Sequence, residues 1–279
     1  MLGYKELRKS FEEAFLKEGI TEFSDIDWII CEVTGKTRSM LPFVAEFSSD
    51  ELTRIMNAVD KRLKHIPIAY IFEKTNFYGY NFKVNKNVLI PRIDTEILIE
   101  TAVSEIKQRD NVSVLDIGTG SGAIAIVLNK ETGAKVYAVD ISDEALAVAK
   151  TNALNLNADV EFYQSDIFEN VQNLKVDIIV SNPPYIESFV CLGLDREVRD
   201  NEPILALDGG EDGLDFYRRI VEESDKHLKT NGCLIFEIGY NQANAVKKLM
   251  SEKFKNIKVK KDYGNNDRVV LGELVWLKD

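Results

Sequence analysis

Thiols and imidazoles are nearly missing from this chain, with three cysteines and two histidines in 279 residues. Cys31, Cys191 and Cys233 stand far apart with no Cys-x-x-Cys pair, which argues against a disulfide framework and against a zinc site. His65 and His227 are equally distant and each sits among helical signals, so both read as surface residues. Neither a histidine-built metal site nor a Ser-His-Asp triad is expected, and no metal is assigned. No apolar run approaches the ~20 residues that a membrane span needs. The start, Met1-Leu2-Gly3-Tyr4-Lys5-Glu6, runs straight into charge without a signal-peptide pattern, so a cytoplasmic location is expected. Basic charge is short as well: 35 Lys and Arg against 46 Asp and Glu leave a net charge of −11. A protein that grips a polyanion normally shows a basic face, so nucleic acid is disfavoured as a partner. Repeats and low-complexity tracts are absent too.

What is present divides into two kinds of pattern. A composition of 45% hydrophobic and 29% charged residues over this length suits one large globular domain plus a small one. Residues 1–72 carry helical spacing. Tyr4, Leu7, Phe11, Ala14 and Phe15 form one apolar face, and Ile26, Ile29, Ile30 and Val33 a second. Leu52, Ile55, Met56, Val59 and Leu63 form a third, preceded by the capping-box spacing of Ser48 to Glu51 and expected to end at Pro67. These stripes read as the core of a helical cap or docking domain. Across 73–90 the period falls to two, Tyr78, Tyr80, Phe82 and Val84 alternating with Gly79, Asn81 and Lys83. A β-hairpin linker is expected, with Gly79 at its tight point. Asp94 or Thr95 then caps a helix bearing Ile97, Leu98, Thr101 and Ala102.

Within residues 91–279 the pattern becomes strand–helix–strand, the habit of a parallel sheet covered by helices. Strands are expected at 112–115, 135–139, 160–163, 176–180 and 234–238, and helices at 124–128, 143–155, 213–229 and 243–254. The segments 257–261 and 269–274 follow one another directly, which implies an antiparallel hairpin at the sheet edge. Between the first strand and its helix stands Asp116-Ile-Gly118-Thr119-Gly120-Ser121-Gly122. A glycine turn here lets a ligand approach the backbone and aims helix N–H groups at it. Gly118-x-Gly120-x-x-Ala123 is a variant of the dinucleotide fingerprint, and Asp140 ends the next strand where an acid can hold ribose hydroxyls. That placement suits the ribose of NAD and of S-adenosylmethionine equally. An acidic entry at Asp116 suits a ligand with an ammonium and a sulfonium better than a pyrophosphate; Asp116 either reaches that ligand, directly or through water, or caps the turn.

The second distinctive stretch is Asn182-Pro183-Pro184-Tyr185, which stops the apolar strand before it. Two prolines stiffen the corner and Pro183 keeps Asn182 out of the helical region. The corner offers the Asn182 side-chain oxygen and the Pro183 carbonyl as acceptors for a planar –NH2, with Tyr185 as an aromatic wall. A loop that merely ends a strand is the plain alternative. Strand ends beside a topological switch point are where open α/β sheets build sites. Hydride transfer has no use for an amide clamp, whereas methyl transfer to an –NH2 does.

Together with Leu89-Ile90-Pro91-Arg92-x-x-Thr95-Glu96, Glu197-Val-Arg199-x-x-Glu202-Pro203 and Glu237-Ile-Gly-x-x-Gln242, these motifs resemble the release-factor glutamine methyltransferases, the HemK or PrmC family. The resemblance spans essentially the whole chain. Asn-Pro-Pro-Tyr alone is shared with N6-adenine and some RNA guanine methyltransferases, so an exocyclic amine of nucleic acid is the alternative acceptor. The resemblance implies a class I, Rossmann-like methyltransferase sheet, mostly parallel with an antiparallel edge strand, behind an all-α domain at 1–72 and a hairpin at 73–90. It implies N5-methylation of the glutamine in the Gly-Gly-Gln motif of class I peptide-chain release factors. S-adenosylmethionine would become S-adenosylhomocysteine, in a monomer that needs no ribosome. Asp116, Gly118, Thr119, Gly120, Ser121, Gly122, Asp140, Ile141, Asp166, Ile167 and Asn182 would hold the cofactor. Asn182, Pro183, Pro184 and Tyr185 would hold the glutamine, with Asn182, Pro183 and Tyr185 carrying catalysis. Asp166 is either a partner of the adenine amino group or a solvated loop residue. Arg92 is a candidate substrate contact, or else joins Glu197, Arg199 and Glu202 in an ion-pair network beneath the site; Glu237 stands likewise. Two departures are visible. Ile167 stands where relatives often carry an aromatic against the adenine, so Ile167 or Phe168 makes that contact. Glu73 replaces a usual glycine after Tyr70-Ile71-Phe72, without expected catalytic consequence.

Overall fold

The computed structural model describes residues 3–275 and divides into two compact units. The first runs to Glu73 and includes Asp195–Asn201; the second is Lys74–Leu194 with the chain from Glu202 onward. The segment 195–201, read in sequence as part of a continuous block from 91 to 279, therefore groups with the helical unit.

In the helical unit, α1 (Tyr4–Lys17), α2 (Ser24–Thr34) and α3 (Ser49–Arg62) turn their apolar stripes inward, except that Met56 of the third stripe faces outward and is exposed. Phe15, Ile26, Ile29, Ile30 and Ile55 are fully buried. Ser48 Oγ accepts from Glu51 N at 3.2 Å while Glu51 Oε2 accepts from Ser48 N at 2.8 Å, so the capping box forms. Pro67 does not end α3, which stops at Arg62; it opens the short α4 (Ile68–Ile71), a place where its missing N–H costs nothing. Arg62 is 1% exposed, its guanidinium 2.7 Å from Asp25 and 2.7 Å from Glu197 on α9 (Arg196–Arg199). Glu73 closes this unit with φ 52, a left-handed backbone that favours glycine.

The second unit begins with a hairpin, β1 (Lys74–Phe77) and β2 (Tyr80–Lys83), whose two turn residues Tyr78 and Gly79 both have positive φ. That is the two-residue turn whose twist matches antiparallel strands. α5 (Glu96–Ile106) follows a 3-10 turn that contains Thr95. Then come β3 (Ser113–Ile117), α6 (Ala123–Thr132), β4 (Lys135–Asp140), α7 (Asp143–Leu156), β5 (Val160–Gln164) and β6 (Val176–Ser181). A short α8 (Ser188–Cys191), α10 (Asp215–His227), β7 (Leu228–Glu237), α11 (Ala243–Met250), β8 (Phe254–Lys261) and β9 (Asp267–Leu274) complete it.

The seven-stranded sheet has the order β5-β4-β3-β6-β7-β9-β8, parallel except where β9 pairs with β7 and β8. Adjacent residues of a buried strand face opposite layers, so Val114 packs among α5 and α6 while Leu115 packs among α10 and α11. The chain leaves β3 toward β4 on one side and returns to β6 on the other. The ends of β3 and β6 therefore flank a crevice at the switch of strand order. β7 starts six residues earlier than its hydrophobic run, through an irregular stretch where Asn231 takes φ 58. Neither histidine is a surface residue. His227 is 3% exposed and stacks on Phe168 at 4.1 Å, and His65 is half-buried. Among the described residues no helix is long and apolar enough to cross a membrane.

Candidate functional site

The turn after β3 is shaped by three glycines at φ 73, 55 and 81, for Gly118, Gly120 and Gly122. Gly118 N and Thr119 N both donate to the Val139 carbonyl, at 2.9 and 3.0 Å, which draws the loop over the end of β4. Asp140, the last residue of β4, accepts from Gly120 N at 2.8 Å and from Ser142 N at 3.0 Å. Burial raises its pKa against those bonds. A β-carbon on Gly118 or Gly120 would find no atom within 4 Å, so open space borders the backbone there. One on Gly122 would meet Ile126 Cδ1 at 3.0 Å and Ala149 Cβ at 3.1 Å, so that glycine serves the packing of α6 on α7. Thr119 and Ser121 are buried within the turn.

Asp116 does not form the open acidic entry expected of it. It is fully buried, and its Oδ2 accepts from Thr119 Oγ1 at 2.6 Å, capping the turn from below. Its Oδ1 is buried without a hydrogen bond, and desolvation pushes the carboxyl up to about 7.

A cavity of about 310 Å³ opens between this loop and the end of β6, within the 300–1,000 Å³ usual for small-molecule sites. Gly118, Gly120, Asp140 and Ile141 line one side, and Asn182, Pro183 and Pro184 the other. Ile167 also lines it and holds φ 53, an outlier for a β-branched residue. Phe168 turns away into the core against His227, so of the two only Ile167 reaches the cavity. Asp166 lines the cavity with its carboxylate 2.7 Å from Arg219, and is neither free nor simply solvated. Arg219 and Phe216, both from α10 and lining the cavity with the guanidinium 5.9 Å from the ring centre, had no signal in the sequence.

At the proline corner, Asn182 Nδ2 donates to Thr95 Oγ1 at 3.3 Å. Among the described residues neither Asn182 Oδ1 nor the Pro183 carbonyl makes a hydrogen bond. Tyr185 packs against the core beneath, and its hydroxyl donates to Glu237 Oε1 at 3.4 Å. Its pKa is raised, first by burial and then by the Glu237 charge. The corner is braced from behind by Gln242, whose Nε2 donates to Tyr185 O at 2.9 Å and to Gly213 O at 3.1 Å. Gly209 and Gly213 allow that closeness: a β-carbon on either would press into the backbone at Tyr185. Glu237 is 1% exposed, and desolvation, opposed by Thr95 and Arg268, raises it to about 7.

The charged residues grouped by sequence do not form one network. Arg92 pairs with buried Glu202, Arg199 with Asp200 at 2.7 Å, and Glu197 with Arg62 in the helical unit. Arg92 lies outside the cavity lining. Among the described residues no group of three His, Cys, Asp or Glu side chains is placed to hold a metal ion.

Comparison with known proteins follows the same division. Residues 6–72 match the PrmC N-terminal domain, and residues 92–190 the methyltransferase small domain. The release factor glutamine methyltransferase of Bacillus anthracis is 39% identical over 98% of this chain and 100% of its own length. That of Clostridium acetobutylicum is 42% identical over 92% of this chain and 93% of its own. A methyltransferase from Pyrococcus furiosus superposes with a TM-score of 0.56 at 21% identity, covering 81% of this chain and 98% of that one. The T. thermophilus 16S rRNA N2 G1207 methyltransferase, in complex with AdoMet and guanosine, gives 0.53 at 19% identity over 72% of this chain and 50% of its own. These two share the fold.

Proposed function

Since the chain belongs to the release factor glutamine methyltransferases, we propose that it transfers a methyl group from S-adenosylmethionine to the N5 side-chain nitrogen of the Gly-Gly-Gln glutamine in class I peptide-chain release factors. The observation that carries this reading is the pair of unbonded acceptors, Asn182 Oδ1 and the Pro183 carbonyl, beside the cavity that the glycine turn borders. An exocyclic amine of nucleic acid, the other acceptor that Asn-Pro-Pro-Tyr allows, is not favoured by these relatives.

The cavity fits the cofactor. Open space at Gly118 and Gly120 admits a ligand to the backbone, and each Asp140 oxygen keeps a second lone pair for a ribose hydroxyl. Ile141 and Ile167 supply apolar walls for a flat base. Asp116, buried under the turn, holds the loop through Thr119. When bound, S-adenosylmethionine supplies a methyl carbon on a sulfonium, already electrophilic.

The chain's own part is positioning. An amide nitrogen is a weak nucleophile because its lone pair is delocalised into the carbonyl. Asn182 Oδ1 and the Pro183 carbonyl each accept one N–H of the glutamine, which aims the lone pair at the methyl carbon and steadies the N–H groups as they grow more acidic. Positioning of this kind lowers barriers by several kcal/mol, up to ~7–11 in ideal intramolecular cases. With the cofactor bound, transfer of its methyl group to the nitrogen would release one amide proton, which the open cavity lets pass to water. Tyr185, expected as an aromatic wall, lies outside the cavity lining and, anchored on Glu237 and packed on the core, braces the prolines from beneath. Arg92, paired with buried Glu202, is assigned to holding the chain rather than the substrate. The enzyme is proposed to act as a monomer. The test is mass spectrometry of a release factor incubated with enzyme and S-adenosylmethionine: its Gly-Gly-Gln glutamine gains one methyl, and a methyl found only on DNA or rRNA would refute the assignment.

A further inference from the structure

Behind the proline corner lies another row of side chains. Asn182 Nδ2 is 3.3 Å from Thr95 Oγ1, and the Thr95 hydroxyl, 4% exposed, also faces the Glu237 carboxyl at the end of β7. Tyr185 donates to Glu237 Oε1, while Oε2 is buried without a hydrogen bond. A threonine hydroxyl carries one proton. An ionised carboxylate can only accept, so a hydroxyl proton turned to Glu237 leaves a lone pair for Asn182. The Asn182 amide must then turn its –NH2 inward and its Oδ1 toward the cavity.

Resting on the methyl-transfer reading above, we propose that Thr95 is a positioning residue whose hydroxyl, aimed by Glu237, decides which end of the Asn182 amide faces the acceptor glutamine. The opposite orientation sets two –NH2 groups against each other and removes one of the two acceptors. Protonation of Glu237 reaches that same state. A carboxylic acid can donate to Thr95, which frees the hydroxyl proton for Asn182 Oδ1. The groups facing Glu237 are Arg268 on β9, Asp94 beside Thr95, Tyr185 at the corner, and Tyr217 on α10, whose hydroxyl binds the Glu237 backbone carbonyl at 2.9 Å. Burial outweighs the Arg268 charge, and with the carboxyl at about 7 both forms exist near neutral pH.

The experiment uses the full-length enzyme, a release factor and S-adenosylmethionine, with cofactor affinity measured separately by calorimetry. If the wild type leaves the glutamine unmethylated, the functional reading fails before Thr95 is at issue. Given wild-type turnover, kcat is expected to fall as pH drops below about 7. Thr95→Val removes the hydroxyl at constant shape and is expected to lower kcat roughly 10- to 100-fold, with cofactor affinity unchanged and the acid limb flattened. Thr95→Ser, which restores the hydroxyl, keeps both rate and limb. Glu237→Gln cannot change charge, so whatever its rate it removes this residue's share of the limb and leaves only that of Asp116, which is also raised to about 7, and it decides the matter should Thr95→Val not fold. Wild-type kcat in Thr95→Val, or an acid limb in Glu237→Gln as steep as the wild type's and at the same pH, overturns the proposal.

Discussion

Replacing one buried acid should make this protein more stable, and only above a certain pH. Glu237 is raised from 4.5 to about 7 in the folded state, chiefly by desolvation. A folded pKa above the unfolded one means that the native state holds the proton more tightly. The native state is therefore favoured below pH 4.5 and loses that advantage as pH rises through about 7. At ~1.4 kcal/mol per unit, the shift amounts to about 3 kcal/mol, of which some 2–3 falls between pH 5 and 8. Glu237→Gln keeps the shape and an acceptor for Tyr185 but never ionises. Urea unfolding of both proteins, followed by circular dichroism at pH 5 and pH 8, should show the variant gaining about 2–3 kcal/mol more over wild type at the higher pH. A gain equal at both pH values would show that the native carboxyl titrates like an exposed one, and would refute the desolvation argument. The same substitution is expected to slow methyl transfer, so stability and activity should move in opposite directions at this residue.

Other perturbations separate the roles assigned above. Asn182→Ala should reduce turnover by roughly 10²–10³-fold while calorimetry finds S-adenosylmethionine binding nearly intact; lost cofactor affinity would contradict the division of roles. Asn152 bridges the hairpin to the glycine turn, accepting from Lys83 N at 2.7 Å and donating to Lys83 O and Ser121 O at 2.9 Å each. Asn152→Ala should therefore cost about 3 kcal/mol in urea unfolding, and a loss below about 1 would mean that water replaces the bonds. Arg62→Met leaves Asp25 and Glu197 without their shared cation. It should destabilise the helical unit by about 3 kcal/mol, at the low end for broken buried pairs because Glu197 is 37% exposed, and make 195–201 quicker to proteolyse.

What the sequence made legible and what it hid follow from the range of the interactions. The glycine turn, Asp140 and the proline corner announce themselves because backbone constraints are local: φ above zero asks for glycine, and two prolines stop a strand whatever the rest of the chain does. The strands flanking them were legible because both faces are buried, giving short unbroken apolar runs. The start of β7 was not, since the amphipathic period of α10 continues into it and the irregular pairing near Asn231 carries no alternation. His227 looked like a surface residue at the end of a charged helix, and only the approach of Phe168, 59 positions away in the numbering, buries it. Thr95, Glu237 and Gln242 were hidden for the same reason. Their motifs were visible, yet their meaning lies in a meeting of three segments far apart along the chain. Charge misled most. Asp116 reads in sequence as a ligand contact or a cap of the turn, and Glu237 as a substrate contact or a member of an ion-pair network, but the fold withdraws both from water, where Asp116 accepts from the Thr119 hydroxyl and Glu237 from that of Tyr185. Groups at the cavity whose backbone is locally constrained are thus legible in sequence, whereas those that brace them become visible only when the sheet brings them within hydrogen-bond reach.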